Sequence, residues 1–246
     1  MDFWLAPPEA GDMNAEQTTF VLVPGACHGA WCFQPLAEDL RRAGHRAFPL
    51  TLTGLAERAA ELTGAVNLDT HIQDVLDVLE YEQITDAVLV GHSYGGVVIT
   101  GVADRAPERV GSLVYLDAFV PRDGESCWTL TNDAQREWYL DVGETGYGVK
   151  PLPFFDPRAT PHPLATFLQR IRLAREPADI RRDYVYARIW DGESPFRATW
   201  ERLRDDPRWT VHELDSKHNL MRDAPDELLA ILLSGRPAPP TGRPRG

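Results

Sequence analysis

Basic charge is scarce in this chain. Against 37 aspartates and glutamates, its 246 residues hold 25 lysines and arginines, giving a formal charge of -12 and a pI near 5.0. Binding a phosphate backbone requires a clustered basic face, and the sequence offers none, which argues against nucleic acid as a partner. Cysteine is scarcer still. Cys27, Cys32 and Cys127 cannot all pair within one chain, and they lack the paired short spacing of a zinc site. Reduced thiols in the cytoplasm are the plain reading. No apolar run approaches the roughly 20 residues that span a bilayer. The N-terminal stretch, with Asp2, Glu9 and Asp12, has no basic segment ahead of an apolar one, so a soluble, unexported protein is expected.

What is present fits one large α/β domain: 43% hydrophobic and 25% charged residues can bury a single substantial core. Residues 1–18, rich in proline, alanine and acidic groups, read as a flexible leader. Phe20 to Val23 and Ala87 to Val90 are short, continuously apolar runs, as expected of strands covered on both faces in a parallel sheet. His45 to Leu52, Ser112 to Phe119, Tyr184 to Ile189 and Thr210 to Leu214 complete the strands. Between them Phe33, Leu36, Ala37 and Leu40 recur at helical spacing, as do Ile72, Val75, Leu76 and Leu79 after Asp69 or Thr70 as the cap. Val97 to Ala106, Thr199 to Arg204 and Pro225 to Leu233 read as further helices. The alternation predicts a mostly parallel central sheet with right-handed crossovers and flanking helices. It breaks down over about 121–182 into aromatics and prolines, read as an inserted lid. Residues 236–246, prolines among arginines, form a tail that can build neither helix nor central strand.

Chemistry concentrates at Gly91-His92-Ser93-Tyr94-Gly95, a G-x-S-x-G pattern directly after a buried strand and before a helix. In that context the serine sits on a strained strand-to-helix turn that lifts Oγ above the C-terminal edge of the sheet. Such a nucleophile needs two backbone donors for the developing oxyanion. The N–H of Tyr94 supplies one, and the loop Gly25-Ala26-Cys27-His28-Gly29 supplies the other through Ala26.

Serine also needs a base. In sheets with such an elbow the chain order is serine, acid, histidine, which selects His218 on the loop after the last strand. His212 reads as a surface residue of that strand, His162 belongs to the lid, and His28 and His92 flank the site. The acid is less decided. Asp191 leads, at the end of the Tyr184 to Ile189 strand and 27 residues before His218; Asp117, a lone carboxylate in the apolar run Tyr115 to Phe119, and Glu193 compete with it, while Asp69 reads as a helix cap.

Three segments carry a resemblance: Phe20 to Trp31, the Gly91 to Gly96 elbow, and Ser216-Lys-His-Asn-Leu-Met221. Together they resemble the α/β-hydrolase superfamily, nearest to the branch of plant methylesterases, hydroxynitrile lyases and bacterial EstC-like esterases. Asn67 to Asp74 and Tyr115 to Pro121 strengthen the likeness to bacterial members, and coverage runs from Thr19 to Leu233. The resemblance implies the α/β-hydrolase fold and hydrolysis of a carboxylic ester through an acyl-enzyme, with no cofactor and no metal. Relatives usually carry histidine where this chain has Pro24. The lyases of the branch use a threonine and a lysine where this chain has Gly25 and Asn219, so esterase chemistry is the expectation. The partner expected is a small or medium apolar ester, consistent with Trp128, Trp138, Tyr139, Phe154, Phe155 and Phe167 in the lid. A tailoring enzyme using the same triad for acyl transfer, cyclisation or thioester release, and a binding protein without turnover, are the alternatives.

Overall fold

Strand residues of this chain alternate between two apolar faces, and each face is closed by helices. A computed structural model describes residues 17–174 and 180–234. Its strands are β1 (Thr19–Val23), β2 (Arg46–Pro49), β3 (Ala87–His92), β4 (Val110–Leu116), β5 (Gly148–Val149), β6 (His162–Pro163), β7 (Arg181–Ala187) and β8 (Thr210–Leu214). Six of them form one sheet in the order β2-β1-β3-β4-β7-β8, each neighbouring pair parallel, while β5 and β6 pair antiparallel apart from it. The helices are α1 (Gln34–Arg42), α2 (Leu68–Tyr81), α3 (Gly95–Arg105), α4 (Cys127–Leu130), α5 (Asp133–Tyr139), α6 (Leu164–Leu168), α7 (Arg197–Leu203), α8 (Leu220–Asp223) and α9 (Pro225–Ser234).

Val21, Leu89, Leu113, Tyr115 and Tyr184 face one buried cluster with residues of α2 and α3, whereas Phe20, Val88, Val114 and Val185 face another with α1 and α9. Burial on both faces explains why these strands read as unbroken apolar runs. A fully buried leucine such as Leu36 or Leu40 of α1 contributes about 1.5–3 kcal/mol by leaving water.

The connections after β1 and β3 leave toward opposite sides of the sheet, because β2 lies beyond β1 and β4 beyond β3. In a parallel sheet that divergence opens a crevice at the C-terminal strand ends.

Several boundaries differ from those expected. β7 begins at Arg181, three residues before Tyr184 and inside the segment read as lid; the Arg181 guanidinium reaches Asp183, which lets a charged residue join the sheet. The second strand stops at Pro49, beyond which only Leu50 N–H still reaches Leu22 O. The cap of α2 is Asn67, whose side chain accepts from Thr70 N–H while the Thr70 hydroxyl accepts from Asn67 N–H. Asp69 instead lies in the first turn, paired with Arg105 and accepting from Gln169. The leader lies outside the described residues except for 17 and 18, where Thr18 O accepts from Arg46 N–H at 2.9 Å; the 236–246 tail lies wholly outside them. Among the described residues no helix is long and apolar enough to cross a membrane.

Candidate active site

Two residues carrying side chains adopt left-handed backbone at the ends of neighbouring strands. Ser93 follows β3 at φ 54°, and Asp117 follows β4 at φ 42°. Such backbone costs a non-glycine residue about 1–3 kcal/mol and persists only where its surroundings impose it. Ser93 N–H donates to Leu116 O at 3.1 Å, and Ser93 O accepts from Gly96 and Phe119, each at 3.2 Å. Gly95 permits the turn: a Cβ there would stand 2.5 Å from Val23 O. Asp117 N–H donates to Val185 O at 2.7 Å.

His218, on the loop after β8, meets Asp117. Its Nδ1 lies 2.8 Å from Asp117 Oδ2. A carboxylate oxygen only accepts, so Nδ1 holds the proton and Nε2 is left with the lone pair of a base. Trp190 Nε1 donates to the same carboxylate at 3.2 Å and Ala187 N–H at 3.4 Å, so each of these neighbours is a donor. Burial pushes the wholly buried Asp117 carboxyl well above its ordinary range, and the Ala187 and Trp190 donors oppose that push. The His218 ring packs between Phe196, stacked at 5.2 Å, Trp190 at 4.9 Å and His92 at 4.5 Å. Desolvation there, and then the nearby His28, press its pKa down to about 3, which favours the neutral ring a base requires.

The expected pairing of Asp191 with His218 is corrected. Asp191 is exposed and pairs with Lys217 Nζ at 3.2 Å. The chain beyond β7 stays extended beside the segment after β8, with Ile189 N–H on Ser216 O at 3.0 Å. It is residue 190 that turns toward the histidine, and residue 190 is a tryptophan. Glu193 is exposed as well, and its carbonyl oxygen accepts from Asn132 Nδ2 at 3.3 Å.

The loop after β1 closes on the elbow. A Cβ on Gly25 would stand 3.0 Å from Ser93 Cβ and 2.9 Å from His92 Nδ1, which restricts that position to glycine. Cys27, at φ 66°, donates its N–H to His162 Nδ1 at 3.2 Å, and Cys27 O accepts from Thr160 N–H at 3.0 Å. Among the described residues the N–H groups of Ala26 and Tyr94, the two expected oxyanion donors, have no protein acceptor. His28 folds back, Nδ1–H donating to Ala26 O at 2.7 Å.

Beneath this loop lies a buried layer that sequence reasoning missed. His71 Nε2–H donates to Thr53 O at 2.9 Å, leaving His71 Nδ1 to accept from the Tyr94 hydroxyl at 2.8 Å. His162, placed by sequence in the lid, stacks on Phe167 at 4.4 Å and shares a 2.9 Å hydrogen bond with Thr166. Burial pushes both histidines below the ordinary range. His92 is buried too: its Nε2–H donates to His218 O at 2.9 Å, and among the described residues its buried Nδ1 has no partner. His212, read as a surface residue, instead donates from Nε2 to the buried Asp183 at 3.0 Å. Burial also keeps the thiols of Cys27, Cys32 and Cys127 protonated by raising them above their ordinary range.

The model of the alpha/beta hydrolase family matches residues 20–239. The chain belongs to the α/β-hydrolase family. This α/β-hydrolase is 39% identical over 232 residues to a carbendazim hydrolyzing esterase of Nocardioides sp. (strain SG-4G), covering 85% of this chain and 96% of that protein. It is 31% identical over 110 residues to methyl jasmonate esterase 1 of Vitis vinifera, 44% of this chain and 42% of the relative. Among solved structures, an extracellular α/β-hydrolase from a Paenibacillus species superposes with a TM-score of 0.74 at 22% identity, covering 88% and 98% of the two chains. A pyrethroid hydrolase from Sphingobium faniae superposes with a TM-score of 0.70 at 20% identity, covering 88% and 96%. Both superpositions bear out the mostly parallel sheet flanked by helices.

Proposed function

We propose that this α/β-hydrolase cleaves a carboxylic ester through an acyl-enzyme on Ser93, with His218 as base, Asp117 as the acid that orients it, and the N–H groups of Ala26 and Tyr94 as the oxyanion hole. The observation that carries the reading is the 2.8 Å bond from His218 Nδ1 to the buried Asp117, beside a serine held in left-handed backbone. As the Ser93 Oγ–carbon bond forms, the Oγ proton passes to His218 Nε2 and the carbonyl oxygen takes the negative charge. Collapse breaks the bond to the alkoxy oxygen, which leaves as the alcohol with the proton from His218. Water then gives a proton to His218 and attacks the acyl carbon. Ser93 departs with that proton, and the acid is released.

A small or medium apolar ester is the substrate class. The half-buried Trp128, Trp138 and Phe155 of the segment before β7 pack against the same cluster as Tyr94, and Phe196 and Trp190 flank the base. The described part of the segment read as lid, 121–174, with α4, α5, α6 and the β5–β6 pair, acts as the lid. Within it Tyr139 and Phe167 stack at 4.1 Å as interior packing, whereas Phe154 is exposed, so those three do not define the pocket. The similarity to an esterase across 96% of that relative supports ester cleavage.

A fluorophosphonate that labels Ser93, together with loss of activated-ester turnover in Ser93→Ala, is the expected result. Full turnover by Ser93→Ala would exclude the mechanism. Product analysis with competing alcohols separates hydrolysis from acyl transfer, hydrolysis giving the free acid as the main product.

A further inference from the structure

Cys27, next to Ala26, is held from outside its own loop. At φ 66° it keeps a left-handed backbone that a residue with a side chain retains only where its surroundings impose it. Both of its backbone polar groups reach one short stretch of the segment proposed as lid. Cys27 N–H donates to His162 Nδ1 at 3.2 Å, and Cys27 O accepts from Thr160 N–H at 3.0 Å. Thr160 is anchored in turn, its Oγ1 accepting from Ala56 N–H at 2.8 Å. His162 lies between Pro161 and Pro163, and a following proline disfavours helical backbone. Its pairing with Val149 in the β5–β6 ladder keeps it extended.

Both ring nitrogens of the wholly buried His162 are engaged. Thr166 Oγ1–H donates to Pro163 O at 2.8 Å, so the same oxygen accepts from His162 Nε2–H at 2.9 Å. Nδ1 is left with the lone pair that receives Cys27 N–H. Burial, and then the neighbouring His71 and His28, press the pKa of His162 well below its ordinary range, which keeps that lone pair available. The same ring meets Tyr94 edge to face at 4.7 Å, and the Tyr94 hydroxyl donates to His71 Nδ1 at 2.8 Å. One imidazole therefore touches both sides of the proposed oxyanion hole: the backbone adjoining Ala26 and the side chain of Tyr94.

We infer that His162 is a positioning residue for the ester reaction, holding the Ala26 and Tyr94 N–H groups at the spacing a developing oxyanion needs. The inference rests on the acyl-enzyme reading of Ser93. An apolar residue of similar size would fill the same space but leave Cys27 N–H buried without an acceptor, and the loop would relax from its left-handed turn. Removing one oxyanion donor outright costs about 10²–10³ in kcat, and a displaced donor loses part of that.

Three replacements in the full chain separate positioning from packing. His162→Phe keeps the aromatic ring without the acceptor. His162→Asn gives up the ring but carries Oδ1 on Cγ, where Nδ1 stood. His162→Gln sets its amide one carbon further out and leaves Cys27 N–H unmatched. With a p-nitrophenyl ester, assayed below the melting temperature of each variant, His162→Phe and His162→Gln should lose about ten- to a hundredfold in kcat with KM within about twofold. His162→Asn should stay within about threefold of the unaltered chain. The preference for an ester over its thionoester, whose sulfur accepts hydrogen bonds poorly, should shrink with kcat in the first two variants. Higher activity in His162→Phe than in His162→Asn would assign the residue to packing and overturn the inference. So would full activity in all three, an unchanged thionoester preference, or failure of all three to fold. Should His162→Phe alone fail to fold, the comparison of Asn with Gln decides. Ser93→Ala serves as the separate check: retained turnover there removes the acyl-enzyme reading and this inference with it, whereas lost turnover there with an active His162→Phe removes this inference alone.

Discussion

Replacing Asp117 by asparagine should disable the enzyme while leaving its fold nearly intact. The side chain is wholly buried and its carboxylate takes three N–H donors, from His218 Nδ1 at 2.8 Å, Trp190 Nε1 at 3.2 Å and Ala187 N at 3.4 Å. An amide keeps the volume but turns one acceptor oxygen into an NH2 group. Trp190 and His218 share Oδ2, so if the NH2 takes that position the imidazole must present a bare Nδ1 to it. The proton then moves to Nε2, where it blocks acceptance from Ser93. Loss of the correct tautomer in a comparable serine triad lowers kcat by about 10⁴. Allowing for partial retention of the productive orientation, a drop of about 10³ to 10⁴ is expected here, or about 4–5.5 kcal/mol of barrier. Asp191→Asn, at an exposed side chain paired with Lys217, should change kcat less than twofold, an effect well below 1 kcal/mol. Burst and steady-state kinetics on a p-nitrophenyl ester would measure both, with circular dichroism to confirm folding. A greater loss in Asp191→Asn than in Asp117→Asn would refute the reasoning.

Other consequences follow from the same geometry. Desolvation lowers the His218 pKa, so the neutral base persists as pH falls, and the acid limb of kcat/KM should lie below 6.5; a limb at or above that value would contradict the packing argument. His92→Ala removes the 2.9 Å donor to His218 O, and a fall in kcat of about ten- to a hundredfold with little change in KM is expected; an unchanged kcat would show that the His218 loop holds itself. Burial works against ionisation of Asp183, but Arg181 and His212 outweigh it and hold the carboxyl below its usual value. That stabilisation is present above the unfolded carboxylate range and is lost as pH falls through the lower folded value. Asp183→Asn should cost about 3 kcal/mol near neutral pH, with the difference shrinking in acid, as read by urea melts at several pH values. Gly25→Ala would drive a methyl against Ser93 and His92, and loss of burst amplitude with a lowered melting temperature is the expected outcome.

β1 and β3 were legible because burial on both faces writes them as unbroken apolar runs, and the turn at Ser93 because it follows such a run directly. His218, the proposed base, was selected by chain order alone. The acid was not, for a reason that lies in side-chain alternation: position in sequence placed Asp191 near the histidine, but a single step along the extended chain exchanges inward and outward faces. The step put Trp190 inside. A signal did exist at Asp117, since a carboxylate within Tyr115 to Phe119 must be matched by donors if it is buried at all. The histidine layer under the oxyanion loop was hidden for another reason. Its members His71, Tyr94 and His162 come from α2, the elbow and β6, and only tertiary packing unites them.

In the proposed mechanism the acid stands at the end of β4 and meets Trp190 from the chain after β7, which divides labour within the molecule. The carboxylate proposed to orient the base directly follows β4, an interior strand of the sheet. The stretch from Arg188 to Glu193 is relieved of that duty apart from one indole. Substitutions at its exposed positions, Asp191 and Glu193 among them, are therefore expected to leave the proposed proton transfer undisturbed.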